Sequence, residues 1–346
     1  MRLGLLAGYS PAQVNLPMDL ILEAERLGFH SVWTSEAWGS DAISPAAWIL
    51  ANTTRINVGT AIMQMPARQP TMAAMTAMTL GALSGGRFIL GLGPSGPGVV
   101  EGWHGVPYGR PLTRTREYIS IVRKVIAREA PLEHDGYHYQ IPYRGEDASG
   151  LGRPLKSILH GDPGLKIYTA SITPNGLRCS AEVADGVFPV WMNPDKFELL
   201  SPHLDEGFEA AGGGKSLGDF DVAPFVYVVL GDDVEACRQP VREHLALYIG
   251  GMGPPGRNFY NDYASNMGYA DEAAHIQQLY LGGKKFEAAQ AVPEGLIDDC
   301  ALVGPAARIR ERLGAWKEAG RRQHVGTMIA ATTSADALRL LAEELT

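Results

Sequence analysis

Short apolar runs alternate with amphipathic stretches from the first residues of the chain to the last. The apolar start from Leu3 predicts a buried strand over residues 2–7. A helix follows, with Asn15 able to cap it, Pro17 near its start, Leu20, Ala24 and Leu27 on one face, and Gly28 closing it. The alternation goes on to predict strands at 31–36, 56–62 and 88–93, and helices at 45–52, 70–83 and 114–128. In the last of these, Tyr118, Ile121, Val122 and Val125 make an i, i+3, i+4, i+7 stripe.

The second half continues with strands at 166–169, 186–189, 222–229 and 324–329. Helices are expected near 174–184, 194–211, 233–248 together with 305–319, and 334–344. Strand–helix alternation implies a parallel sheet, because parallel strands need crossover helices. Eight units predict a closed (β/α)8 TIM barrel, with an open doubly wound sheet as the alternative. Such a barrel needs ~250 residues. The chain has 346, so insertions are expected at about 131–165 and 248–300. No composition break marks a linker, and 1–346 reads as a single domain.

With 45% apolar and 20% charged residues, the composition is that of a globular protein. Thirty-eight acidic against 30 basic residues give −8, which argues against a nucleic-acid partner. Three widely separated cysteines, Cys179, Cys237 and Cys300, make no disulfide framework, and a cytoplasmic location is expected. The apolar start carries Gly4 and Gly8 and lacks a cleavage-like sequel, so no signal peptide is expected. Residues 69–86 carry no charge, but Thr71, Thr76 and Thr79 interrupt them, and a span needs ~20 apolar residues. That stretch reads as a buried helix, and no membrane partner is expected.

Gly91-Leu92-Gly93-Pro94-Ser95-Gly96 matches the dinucleotide fingerprint GxGxxG after a strand, with Glu117 downstream. The fingerprint must open directly into a helix, whereas Pro94, Pro97, Gly98, Gly102, Gly105 and Pro107 forbid a long one before Thr113. A loop at a strand's C-terminal end fits better, its glycines letting a flat ligand approach the backbone. His134 and His138 flank the turn pair Asp135-Gly136, so they are not helix-face metal ligands. No HExxH or CxxC is present, and no metal is expected. Met72, Met75 and Met78 read as core, while Met63 and Met65, just past a strand, keep a site interpretation. In Trp33-Thr34-Ser35-Glu36-Ala37-Trp38, Glu36 at a strand end is either a general acid or a loop carboxylate capping a neighbour.

The runs Leu27-Gly28-Phe29-His30-Ser31-Val32-Trp33 and Arg55-Ile56-Asn57-Val58-Gly59-Thr60-Ala61-Ile62, with Ser84-Gly85-Gly86-Arg87-Phe88 and Ala184-Asp185-Gly186, resemble the luciferase-like (bacterial luciferase superfamily) oxidoreductases. The stretches Leu247-Tyr248-Ile249-Gly250-Gly251-Met252-Gly253 and Asn258-Phe259-Tyr260-Asn261 are similar to the branch that uses coenzyme F420, an 8-hydroxy-5-deazaflavin hydride carrier. The resemblance implies a ring site at the barrel's C-terminal face, with Glu36 near the ring and Gln64 just beyond the bulge of Ala61 and Ile62. Ala61 and Ile62 would hold a non-proline cis peptide behind the ring, and Pro94, Ser95 and Gly96 would border it. The turn Thr169, Ala170, Ser171, Ile172, Thr173 and Pro174 would receive the phosphate at a helix N-terminus.

Ala37 stands where several relatives carry a His, and Gly96 where the sugar-phosphate dehydrogenase branch carries a catalytic Glu, so that activity is not expected. Thr173 replaces a usual Gly. The expected activity is hydride transfer between the deazaflavin and a small organic substrate, in a homodimer or higher homo-oligomer. Glu36 and His104 are candidate proton donors, and Trp38 and Trp103 candidate pocket walls. Arg110, Arg114, Arg116, Arg153 and Lys156 are candidates to meet the cofactor's acidic tail. An FMN-dependent monooxygenase on the same fold, and a flavin-binding protein without turnover, are the alternatives.

Overall fold

The computed structural model describes residues 1–10 and 12–345. Eight strands form the barrel: β1 (Arg2–Gly8), β2 (Ser31–Thr34), β3 (Asn57–Thr60), β4 (Phe88–Gly93), β5 (Ile167–Ala170), β6 (Gly186–Phe188), β7 and β8 (Thr327–Ala331). β7 comprises Asp221–Val222 and Phe225–Leu230. Across its break Ala223 N donates to Val187 O at 2.8 Å, and Pro224 O accepts from Ile329 N at 3.0 Å. Every neighbouring pair is parallel, and β8 returns to β1, so the ring closes. The closed barrel is the expected one.

The helices connecting these strands are α1 (Met18–Arg26), α2 (Ile43–Asn52), α3 (Pro70–Leu83), α4 (Pro97–Gly102), α5 (Pro111–Ala127), α6 (Pro174–Val183) and α7 (Ser201–Ala211). After β7 come α8 (Val234–Gly251), α9 (Phe259–Ala264), α10 (Ala270–Leu281), α11 (Lys285–Gln290), α12 (Glu294–Cys300) and α13 (Ala306–Arg321), and α14 (Ala335–Leu345) follows β8. Asn15 does not cap α1, which starts at Met18 without a side-chain cap, while Gly28 does close it, at φ +83. The first insertion holds a two-strand hairpin, His134–Asp135 against Gln140–Ile141. The second is helical and ends in a short extra strand, Ala301–Gly304, which pairs with the far half of β7. No helix among the described residues is long and apolar enough to cross a membrane.

Two core expectations need correction. Met78 is buried, but Met72 and Met75 are 52% and 54% exposed, on the outer stripe of α3. The inner stripe of α3 carries Ala73, Ala74, Ala77 and Met78, and its outer stripe carries Met72 and Met75. Met63 and Met65 are fully buried in the main core, so neither lines a site.

The barrel interior is filled by aromatic rings. Trp33 lies 4.9 Å from Phe188 and 5.5 Å from Tyr168 between ring centroids, and Phe188 stacks on Phe225 at 5.4 Å. At the N-terminal end Asp221 Oδ2 accepts from Arg2, the Tyr168 hydroxyl and the Thr327 hydroxyl, each at 2.7 Å. The barrel is therefore a packed core open only to ligands at its C-terminal face.

Candidate active site

Past the end of β3 the chain bulges over β4. The Ala61–Ile62 peptide is cis. Ala61 N donates to Thr34 O at 2.6 Å, and Ser35 Oγ donates to Ala61 O at 2.7 Å. β4 lies so close beneath that a Cβ at Gly91 would sit 1.7 Å from Thr60 O, and one at Gly93 would sit 2.6 Å from Ile62 Cγ1. The first two glycines of the GxGxxG match are thus explained by this approach, and no phosphate is needed to account for them. Ile62, Ala170, Leu6 and Phe225 pack on the aromatic layer and remain partly exposed, giving the mouth an apolar floor.

Glu36 holds the next layer. Its Oε1 accepts from Gln64 N at 2.7 Å and Arg68 Nη1 at 2.6 Å, and its Oε2 accepts from Ala42 N at 2.9 Å. This is the arrangement of a positioning carboxylate: both oxygens are engaged by protein donors, and the side chain is only 6% exposed. Gln64 passes the order on. Its Nε2 donates to Ala37 O at 2.8 Å, and its Oε1 lies 2.8 Å from His104 Nε2. The amide oxygen accepts, so in this pairing Nε2 carries the hydrogen, and Nδ1 is left without a bond to any described residue. Glu36, Gln64 and His104 are brought together as one chain of contacts.

The remaining candidates divide. Ser95 adopts φ +59 in the loop before α4, between Pro94 and Gly96. Trp38 and Trp103 are 60% and 66% exposed, so they stand on the open rim. Thr169 is buried and spends its hydroxyl on Ser180 Oγ at 2.7 Å. Thr173 caps α6, accepting from Gly176 N at 3.2 Å. Because Pro174 has no N–H, the uncommitted amide of that first turn is Asn175 N–H. A Cβ at Gly176 would lie 1.9 Å from Ser171 Oγ, so the turn from Ala170 through Ser171 and Ile172 folds tightly over the helix start.

The expected cation cluster is largely committed elsewhere. Arg116 pairs with Glu182, buried Arg114 donates to Pro107 O at 2.8 Å, Arg110 lies over the Tyr137 ring, and Lys156 donates to Glu129 O. No group of three potential metal ligands occurs among the described residues.

Two features escaped the sequence. Arg68, the partner of Glu36, lies past a two-residue strand, Met63–Gln64, and one turn of 3-10 helix. Across the mouth, the Tyr227 hydroxyl lies 2.9 Å from His244 Nδ1, and the His244 ring lies 4.5 Å from that of Tyr248. Strand alternation could have placed Tyr227 inward with Phe225. Nothing local in the predicted helix marks His244.

Burial lowers the pKa of His244 from 6.5 to about 4. The unfolded chain then binds the extra proton between those values, so stability is full above about pH 6.5 and is lost as pH falls toward 4. The loss expected from His244 is about 3 kcal/mol, and a His244→Gln variant should show a shallower acid limb in urea unfolding. Equal acid slopes in the two proteins would mean that His244 is not held neutral.

The model of the luciferase-like monooxygenase family matches residues 6–323, nearly the whole barrel. The chain belongs to this family. Among luciferase-like relatives, a Mycobacterium tuberculosis protein provisionally named a coenzyme F420-dependent oxidoreductase is 42% identical over 344 residues, covering 99% of this chain and 98% of its own. The 5,10-methylenetetrahydromethanopterin reductase of Archaeoglobus fulgidus is 25% identical, covering 93% of this chain and 92% of its own. The solved coenzyme F420-dependent tetrahydromethanopterin reductase from Methanopyrus kandleri superposes with a TM-score of 0.78 at 20% identity, over 99% of this chain and 97% of that one. That last likeness concerns the luciferase-like fold.

Proposed function

We propose that this luciferase-like protein is a coenzyme F420-dependent oxidoreductase that moves a hydride between the deazaflavin and a small organic substrate. The observation that carries the reading is the 42% identity, across 99% of the chain, to a relative named for that cofactor. The mouth fits such a group: its floor of Ile62, Ala170, Leu6 and Phe225 suits a flat ring. The loop of Pro94, Ser95 and Gly96 would border the ring, and Asn175 N–H at the start of α6 would meet the phosphate. When bound, the deazaflavin supplies a hydride-carrying ring carbon that activates oxygen poorly. The chain's own part is to fix geometry and exclude water. Glu36 and Arg68 set Gln64, and Gln64 sets the His104 ring. His104 Nδ1 is then the group free to hold or pass a proton at the mouth, with Glu36 as its positioning support.

Calorimetric titration of the apo-protein with both cofactors tests the assignment. The deazaflavin is expected to bind more tightly than FMN and to weaken as salt is raised, because its acidic tail meets a protein of charge −8 through a few exposed cations. Micromolar FMN binding without detectable deazaflavin binding would overturn the assignment in favour of the monooxygenase. Tight cofactor binding with no redox change on adding any substrate would favour the binding protein without turnover.

We also take residues 1–346 as one cytoplasmic TIM-barrel domain that self-associates. The three cysteines are free and buried, and Met72, Met75 and Leu83 of α3 with Trp48 of α2 leave apolar surface exposed. Sedimentation of the native protein as a monomer would remove the homodimer, and two separate unfolding transitions would remove the single domain.

A further inference from the structure

We propose that the Tyr227–His244 pair, with Tyr248, Tyr260 and Trp191 around it, is the pocket that receives the substrate, and that it selects an uncharged carbonyl or hydroxyl compound with an apolar or aromatic body. The inference rests on the oxidoreductase reading of the mouth and adds to it a place and a chemical class for the substrate.

Position comes first. Phe225 faces the barrel interior, so Tyr227, two residues on, projects to the same side one layer nearer the mouth. It lies opposite Ala331, the last residue of β8. In a ring of eight strands β7 stands diametrically across from β3, whose end carries the Ala61–Ile62 bulge. The His244 wall therefore faces the proposed ring site across the opening.

Unused polar capacity comes second. The hydroxyls of Tyr248 and Tyr260 bond no described residue, although their rings pack at 4.7 Å. Trp191, 2% exposed and 5.4 Å from the Tyr260 ring, has an indole N–H with no acceptor. Tyr227 spends one bond, on His244. The buried indole N–H left unpaired in this way is normally completed by water or a ligand, and the tyrosine hydroxyls beside it are on partly exposed residues that the same partner can reach. With the imidazole neutral, the tautomer that donates Nδ1–H to the phenol oxygen leaves the Tyr227 O–H free to donate into the pocket. A carbonyl oxygen accepts from it, and a hydroxyl can do so as well.

Charge decides the class. Burial alone lowers the proton affinity of His244, with no ionic neighbour contributing. The groups that act on Tyr227 beyond burial are Tyr248 of α8, Cys300 of α12 and Tyr9 just past β1; Tyr248 feels Tyr9, and Tyr260 feels Tyr248. Among the described residues, no lysine, arginine or carboxylate acts on Tyr227, His244, Tyr248 or Tyr260. A carboxylate or phosphate placed there would lose its hydration without gaining a counter-charge.

The test uses the full chain and two fluorinated probes of matched shape, 4-fluoroacetophenone and 4-fluorobenzoate, read by 19F line broadening. The ketone is expected to bind saturably, Tyr227→Phe to weaken it by about 3- to 10-fold, the loss of one hydrogen bond, and the benzoate to show no saturable binding. Trp191→Phe should also weaken the ketone, which keeps the test open if one variant folds poorly. Absence of ketone binding to the native chain, equal ketone affinity in the Tyr227→Phe protein, or benzoate bound as tightly as the ketone would each overturn the proposal. Deazaflavin titrations of the same samples separate the two readings. Unchanged deazaflavin binding alongside any of those outcomes sinks this pocket alone, whereas its absence from the native chain sinks the cofactor assignment.

Discussion

Gly91→Ala is expected to destabilise the protein by about 3 kcal/mol or more, or to prevent folding, while Gly96→Ala stays within about 0.5 kcal/mol of the native chain. The two glycines belong to one sequence pattern but meet different surroundings. A Cβ on Gly91 would lie 1.7 Å from the backbone oxygen of Thr60, which no side-chain rotation can relieve. Thr60 also clamps β4, its hydroxyl donating to Gly91 O at 2.7 Å and accepting from Gly91 N at 3.0 Å. The strand cannot retreat without breaking both bonds. Gly96 has extended backbone at φ −98 and open space around the missing side chain. Urea midpoints at constant slope compare them. Native stability in the Gly91→Ala protein would disprove the close approach of the bulge to β4.

Loss of the Glu36 carboxylate is expected to act on both stability and rate. Glu36→Ala strips Arg68 of its 2.6 Å partner and leaves Gln64 N and Ala42 N without acceptors. Breaking a buried pair costs about 3–5 kcal/mol. Arg68 is 22% exposed, so water recovers part of that, and about 2–4 kcal/mol is expected. Glu36→Gln keeps the shape and is expected to lower turnover ~10²-fold, because a tilted Gln64 carries His104 with it. A double-mutant cycle with Arg68→Gln should show coupling above about 1 kcal/mol. Full turnover of Glu36→Gln at saturating substrate from pH 5 to 9 would leave Glu36 as scaffold only, with no part in positioning His104.

The barrel was legible because its strands announce themselves locally. Apolar runs such as Phe88-Ile89-Leu90 are closed by glycine, and each is followed by a helix-period stretch. Ala301–Gly304 was not legible, since four residues directly after a helix carry no alternation to read. The uncharged helix misled for a related reason. Absence of charge tells nothing about which stripe faces inward: Ala73, Ala74, Ala77 and Met78 pack against the barrel, whereas Met72 and Met75 do not. Of the site, the segments around Glu36, Gln64 and His104 could be named in advance, but the bonds between them join residues 28 and 40 positions apart. The Tyr227–His244 contact is set by how a helix seats on a strand end, and no residue spacing encodes that.

The ring-filled interior has a consequence for traffic. Trp33, Tyr168 and Phe188 fill the middle of the barrel and Arg2 is pinned to Asp221 at the far end, so among the described residues the way in and out is the C-terminal mouth. Whatever enters past Trp38 and Trp103 has to leave by the same door. Two visitors sharing one doorway form a queue, in which the deeper guest arrives first and departs last. Steady-state kinetics should carry that order as a compulsory sequence of arrivals, with the late arrival at high concentration trapping the early one inside.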